Sequence, residues 1–344
     1  MYGLIKPILF RQDPELAHHL VLRNLSLLSR SGAGRALIRA LCGSPYKDPV
    51  KLCGLTFSNR VGLAAGMDKD ATAWRGFAEM GFGHVEVGTI TPLPQQGNPK
   101  PRVFRLLQDD ALINRMGFPG AGMEAARRHL SQDRPHGVVL GVNVGKNKQT
   151  PLQEAVDDYV AVVDYLSDIA DYFTVNVSSP NTPNLRQLQT RGYLEDLLIQ
   201  VRTRRDANRG SKPLPVFVKL SPDLDVQGLH DALDAAVGAG VDGVIATNTT
   251  LDRQGLQSAH RSEAGGMSGR PLGMKAAGFV RSVVDHLDGK LPVIAVGGII
   301  SGADATERLN SGAALVQIYT GLVFRGPALV GEIARAAAIA RAPL

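Results

Sequence analysis

Ser178-Ser179-Pro180-Asn181-Thr182 follow an apolar segment, 172–177, that carries an amide, Asn176, near its end. A tight Pro-containing loop that gathers Asn, Ser and Asn presents polar groups to a ligand, and a hydroxyl placed there can accept a proton if something activates it. In isolation such a loop is better read as a chain reversal. Seven other apolar segments of this chain end in the same manner. The first runs into Ala64-Ala65-Gly66-Met67-Asp68-Lys69 and the second into Gly88-Thr89. The third carries Asn143 with Lys146 beyond it, and the fifth carries Lys219 before Ser221-Pro222. The sixth ends in Thr247-Asn248-Thr249, the seventh in Gly297-Gly298, the eighth in Tyr319-Thr320-Gly321. A lysine inside an apolar strand is costly to bury unless it meets an anion.

The glycine-bearing ends of the seventh and eighth segments are expected to open helices, and their backbone amides to cradle a phosphate. Each pair singly is also a plain turn; both together, at these two positions, favour phosphate. The inventory contains no His dyad, no carboxylate pair and no metal-ligand cluster. Two lysines, several amides and hydroxyls and a phosphate grip imply a phosphate-bearing cofactor that carries the hard chemistry. Lysines and amides over a flat ring suit flavin mononucleotide. Pyridoxal phosphate stays open, because either lysine can form a Schiff base.

Strands at 61–65, 84–89, 138–144, 172–177, 215–220, 243–247, 292–296 and 315–319 must position these residues. They are short and almost continuously apolar, as strands covered on both faces are. Helical segments are expected at 70–80, 119–131, 151–170, 190–209, 226–239, 274–287, 302–311 and 327–341. For 151–170 the capping residue is Thr150, with Pro151 in the first turn and Gln153 completing a capping box. Eight strand–helix units in roughly 280 residues predict an α/β fold of the closed (β/α)8, or TIM barrel, type. A doubly wound open sheet is the competitor, but no GxGxxG follows the first strand and every strand end is marked, not one switch point. A hairpin is expected at 50–58, plugging the barrel bottom, and another from 102–107 and 111–116, above the second strand.

Hydrophobic residues make up 44% of the 344 and charged residues 20%, enough for a large core. The net charge is +6. No dense Lys/Arg tract occurs, and aromatics at 5% are too few for a stacking platform, so nucleic acid is not expected as a partner. Cys42 and Cys53 lie in no metal-binding spacing, and a reducing, cytosolic compartment is expected. No apolar run reaches eighteen residues, and the run at 7–10 is cut by Arg11-Gln12-Asp13, so neither a membrane span nor a signal peptide is expected.

Residues 1–45 differ in kind from 46–344 and are read as a separate helical segment preceding the barrel domain. A helix starts at Asp13-Pro14-Glu15, with Leu16, Leu20, Val21, Leu25 and Leu28 along one side, and a second covers 35–41. Lys6, Arg11, Arg23, Arg30, Arg35 and Arg39 stand against Asp13 and Glu15, a net of +4. Basic, amphipathic, non-spanning helices suit an anionic membrane surface; a helical pair docked on the barrel fits the pattern equally.

Longer motifs carry a resemblance. AAGMDK (64–69), GNPKPRVFRL (97–106), INRMGF (113–118), NVGKN (143–147), NVSSPNTPNLR (176–186), ATNTTLDR (246–253), GGMSGRPL (265–272), VGGI (296–299) and LVQIY (315–319) stand in order along nearly the whole chain. The sequence resembles the quinone-dependent, membrane-associated dihydroorotate dehydrogenases. The resemblance implies oxidation of dihydroorotate to orotate with FMN, electrons passing to a membrane quinone, in pyrimidine biosynthesis. It implies Ser179 as the base for carbon 5 of the substrate; Thr182 and a water are candidate relays. Asn114, Asn176, Asn181 and Asn248 would hold the substrate ring and Lys69 its carboxylate, with Arg115, Met116, Gly117, Phe118 and Thr249 nearby. Thr89, Asn143, Lys219 and Thr247 would hold the flavin ring, with Ala65, Gly66, Lys69 and Asn176 also on the cofactor. Gly269, Gly298, Tyr319 and Thr320 would hold its ribityl phosphate. His18 and Arg105 match positions near a quinone tunnel. Met67 and Thr320 replace the Leu and Ser frequent in relatives. The resemblance further implies a peripheral protein on the cytoplasmic side of the inner membrane, with no obligate protein partner evident.

Two other functions fit parts of this pattern. A soluble barrel dehydrogenase passing electrons to fumarate or NAD would lack the basic amphipathic start. A non-catalytic, membrane-docked binding barrel would not need Ser179 or Lys69.

Overall fold

The computed structural model describes residues 2–339 apart from 44, 45, 133, 209, 211 and 213. The expected segment boundary at 45/46 and the end of the helix expected at 327–341 therefore fall partly outside the described residues.

Eight parallel strands close into a barrel: β1 (Val61–Leu63), β2 (His84–Ile90), β3 (Val139–Val144), β4 (Tyr172–Asn176), β5 (Val216–Leu220), β6 (Gly243–Ala246), β7 (Val293–Val296) and β8 (Leu315–Ile318). Each pairs with its neighbours in chain order, and β8 pairs with β1. Successive side chains alternate between the barrel interior and the surrounding helices. Val61, Leu63, Val85 and Val87 pack outward in the large helix-facing core, while Tyr172, Phe217, Ile245, Ile294 and Leu315 fill the interior. The hairpin Val50–Leu52/Leu55–Phe57 adds Val50 and Phe57 to that interior cluster, with Phe57 edge-on to His84 at the start of β2, so it closes the bottom as its pattern predicts.

The second hairpin is one strand larger than expected. Val103–Leu106 and Ala111–Asn114 pair antiparallel, and Gly266–Gly269 adds to the other edge of Ala111–Asn114. Three glycines in a five-residue stretch give no strand signal by side-chain pattern. Gly266 is required by proximity, since a Cβ there would fall 1.9 Å from Thr249 Oγ1.

Several helix expectations shift. The segment 70–80 shortens to Trp74–Ala78, because the buried Asp68 carboxylate takes the Thr72 and Ala73 amides at 2.8 Å and holds 68–73 as a loop. Burial lifts that carboxyl to about 6 against those hydrogen bonds. Thr150 does not cap the helix at 151–170. Its carbonyl accepts from Lys146 Nζ at 2.7 Å, a short 3-10 turn spans Leu152–Glu154, and the α-helix proper is Ala155–Leu166.

The first residues form α1 (Tyr2–Arg11), α2 (Pro14–Ser29) and α3 (Gly32–Cys42). α1 is not legible in the sequence, because Pro7 in its middle reads as a break; Pro7 lies in the second turn and forgoes only its own bond to the Gly3 carbonyl. α2 starts as expected, with Asp13 accepting from the Glu15 and Leu16 amides at 2.9 Å and Pro14 in the first turn. Its apolar residues divide between two faces. Ala17, Leu22 and Leu25 are buried against the barrel, whereas Leu16, Leu20 and Leu27 point outward. α3 begins three residues early because the Ser31 hydroxyl accepts from the Gly34 amide and caps it.

Candidate active site

At the carboxyl ends of the strands lies a cavity lined by residues on or just beyond seven of them, all but β3. Asn176 of β4 stands in register with Lys219 of β5, so an amide and a cation share one level of the floor. The Lys219 ammonium has no hydrogen-bond partner among the described residues, and burial lowers its pKa, partly offset by Glu86. Asn248 donates to Ser178 Oγ at 2.8 Å and to Asn176 Oδ1 at 3.3 Å. Asn181 donates to Asn114 Oδ1 at 3.2 Å, which ties the Ser179 loop to the three-stranded sheet. Four amides therefore converge where β4, β6 and the added sheet meet.

The loop carrying Ser179 is held from behind. Arg186 donates to the Ser178 and Thr249 carbonyls and to Asp223. Asp223 also binds Lys275 at 2.6 Å and the Leu251 amide at 2.9 Å. Burial would raise the Asp223 pKa, but Lys275 and Thr250 outweigh it and keep the carboxyl below its usual value. Ser179 itself is buried and lines the cavity, its Oγ accepting from the Asn181 amide at 3.3 Å. The Thr182 and Thr249 hydroxyls are buried without a partner among the described residues.

Lys69 donates to the Gly66 carbonyl at 2.7 Å. Burial brings its pKa down to about 8, against the pull of Asp70, Glu15 and Asp68. At the far end Thr320 Oγ1 donates to Ser268 Oγ at 2.8 Å, beside Gly269, Gly297 and Gly298. Gly298 has φ +69° and a Cβ there would strike Gly273 at 2.2 Å, so only glycine lets the two loops approach. The helix after it opens at Gly302, capped by Ser301, so Gly297-Gly298 is not itself a helix start. Thr320 does begin a helix, Thr320–Arg325.

Ala65, Gly66, Lys69, Thr89, Asn176, Lys219, Thr247, Gly269, Gly298, Tyr319 and Thr320 line this one cavity, as do Asn114, Met116, Gly117, Phe118, Asn181, Asn248 and Thr249. Two expected residues are placed differently. Arg115 turns away to Glu263 at 2.7 Å and lies over Phe104, because its strand alternates it to the outer face. Asn143 lies beneath the floor, taking Thr89 Oγ1 at 2.6 Å and Asn176 Nδ2 at 3.0 Å on its oxygen. The sequence reading missed Gln317 and Ser268 on the lining. For Gln317 the missed signal was a polar residue at an inward position of an apolar strand.

A second cavity, largely apolar, opens between α1, α2 and the barrel, lined by Phe10, His18, Val21, Leu22, Met67 and Arg105 among others. Lys69, Met116 and Tyr319 line both cavities. His18 is half-buried there, its pKa held well below the ordinary value first by burial and then by Lys69. Arg105 donates to the Gln12 carbonyl at 2.7 Å and covers the Phe10 ring.

No carboxylate, imidazole or thiol lines the first cavity, and no cluster of potential metal ligands occurs among the described residues. A (β/α)8 barrel with such a cavity at its carboxyl end has the architecture of a barrel enzyme that works through hydrogen bonds and two cations. The family model for dihydroorotate dehydrogenase matches residues 49–338. A Dihydroorotate dehydrogenase (quinone) of Polynucleobacter asymbioticus is 46% identical over 97% of this chain and 98% of its own length. One of Chromobacterium violaceum is 47% identical over 98% of each. The crystal structure of DHODH from Eimeria tenella in complex with ferulenol superposes with a TM-score of 0.82 at 39% identity, covering 94% of this chain and 90% of that one. The chain belongs to the dihydroorotate dehydrogenase family, a family of oxidoreductases.

Proposed function

We propose that the protein oxidises dihydroorotate to orotate in pyrimidine biosynthesis and passes the electrons to a quinone, with FMN held in the polar cavity. The observation that carries this is the cavity itself: amides, hydroxyls and two cations, Lys219 buried and Lys69 half-buried, around a space with no group able to accept electrons. The lining fits a flavin. Lys219 offers an unpartnered ammonium, Gln317 an unpartnered buried carbonyl oxygen, and the loops at Gly269 and Gly298 exclude side chains where a phosphate would rest. FMN, when bound, supplies the hydride acceptor.

The chain's own residues do the rest. Asn114, Asn176, Asn181 and Asn248 supply neutral donors and acceptors for a planar, uracil-like ring, and Lys69 neutralises its carboxylate. Ser179 takes the proton from carbon 5, and Thr182 supplies a buried, unpartnered hydroxyl in the same loop. Thr89, Thr247 and Lys219 hold the flavin ring, with Ala65 and Gly66 against it; Tyr319 and Thr320 flank its phosphate end.

Residues 1–45 form the membrane-facing segment through which quinone reaches the apolar cavity. Leu4 and Ile8 are 79% and 64% exposed, on a helix that buries none of its residues. Arg35 and Arg39 do not serve that surface, since both pair with Glu79 of the barrel. No helix among the described residues is long and apolar enough to cross a membrane, which fits peripheral attachment at the cytoplasmic face of an anionic bilayer. The visible spectrum of the purified protein tests the reading. Flavin bands that bleach anaerobically with dihydroorotate are expected; bands that persist would leave only a binding protein, and no bands would remove FMN altogether.

A further inference from the structure

The eight barrel strands carry one acidic and one basic residue, Glu86 and Lys219, and both face the interior. Glu86 is completely buried, directly beneath the polar cavity. Its Oε1 accepts from Asn143 Nδ2 at 2.8 Å. Its Oε2 accepts from Tyr172 Oη at 3.0 Å and Gln317 Nε2 at 2.8 Å. Three donors converge on it, the pattern of an acceptor-only carboxylate. His84, the neighbouring inward residue, stays neutral, because burial drives its pKa down to about 3.

The carboxylate sets everything above it. By taking the Asn143 amide nitrogen it turns the Asn143 oxygen upward, where Thr89 and Asn176 donate to it. By taking the Gln317 nitrogen it leaves the Gln317 oxygen unpartnered at the cavity floor. A buried carboxylate without a contacting cation costs several kcal/mol, and an apolar residue of the same size would fill the space more cheaply. The charge therefore has a use other than packing.

We propose that Glu86 is a positioning residue for the redox step: it fixes the donors and acceptors of the cavity floor and offsets the positive charge of Lys219. The proposal rests on the FMN reading above. Lys219 alone would favour the reduced ring so strongly that electrons would be slow to leave for the quinone. Glu86 restores the balance between accepting electrons from dihydroorotate and giving them up.

The test is a spectroelectrochemical titration of the flavin-loaded full chain and its Glu86→Gln variant. In the variant the reduced ring should be favoured over the oxidised by about tenfold more than in the parent, ~30 mV upward for a two-electron couple. Reoxidation by a quinone should slow by a larger factor than reduction by dihydroorotate; equal slowing of both is a packing defect and overturns the proposal. Tyr172→Phe keeps the charge with one donor fewer, so its midpoint should stay or fall. A rise there matching Glu86→Gln would also overturn it, and this variant decides alone if Glu86→Gln does not fold. A parent without flavin fails the FMN reading itself, whereas a flavin-loaded variant with an unchanged midpoint fails only the role of Glu86.

Discussion

Two cavities share one wall, and they are built in opposite ways. The barrel cavity is rigid and polar: its side chains rise from paired strands, and nearly every amide has its partner fixed within the protein. The amino-terminal cavity is apolar and is closed on one side by α1, which buries none of its residues, and by α2, which the buried Glu15–Arg102 ion pair at 2.7 Å ties to the barrel. α1 touches the barrel through Phe10, edge-on to Phe324 and covered by Arg105, through Lys6 over the Phe324 ring, and through the Tyr2 hydroxyl on the Val323 carbonyl. On the proposed function, the difference separates the two half-reactions, substrate oxidation in the polar cavity and quinone reduction at the apolar one. Proton and hydride transfer need fixed geometry in a dry polar site. A long apolar acceptor needs a greasy entrance whose walls can part. Among the described residues, Lys69, Met116 and Tyr319 are the ones that line both cavities.

The largest expected effect falls on the polar side. Ser179→Ala should keep its flavin yet slow anaerobic flavin reduction by about 10²–10⁴-fold, the usual contribution of a general base. Stopped-flow reduction near the parent rate would remove Ser179 from that role. Reoxidation by quinone should be unaffected, and a parallel slowing there would break the separation of the two cavities.

Lys69→Ala comes next, because a charge-assisted hydrogen bond is worth about 1.5–3 kcal/mol. The KM for dihydroorotate should rise by roughly 10- to 100-fold. Since Lys69 belongs to both walls, unchanged substrate affinity combined with altered quinone kinetics would move it to the apolar side.

The pH profile sharpens the same point. Lys69 is charged below about 8 and loses its proton above it, so kcat/KM for dihydroorotate should fall beyond that pH. The limiting rate of flavin reduction should instead climb toward alkaline pH, as deprotonation of the serine becomes easier. A kcat/KM that stays flat to pH 10 would deny Lys69 the carboxylate.

The smallest effects belong to the outer helices. Leu4→Glu and Ile8→Glu should each weaken binding to anionic vesicles by about tenfold, as half-burying such a side chain contributes about 1.5 kcal/mol. Flavin content and dihydroorotate reduction should not change. Added salt should weaken vesicle binding further, through screening of the basic residues. If both variants bind vesicles like the parent, the helices serve only to cover the apolar cavity.

The sequence by itself determined the barrel and most of the polar cavity. The period of buried parallel strands is visible in any window, and chemistry at strand ends is local: Asn176, Lys219 and Asn248 each follow their own apolar run. Glu86 was open to the same argument that exposed Lys219, a charge inside an apolar strand, and was passed over because it sits mid-strand. Only the tertiary structure decided which groups face each other. Arg115 and Asn114 are neighbours in sequence, yet strand alternation sends one to Glu263 and the other to Asn181. The two apolar faces of α2 and the pairing of Arg35 and Arg39 with Glu79 were equally hidden. Periodicity records that a residue is apolar or charged; which surface meets it depends on contacts between segments far apart in the chain.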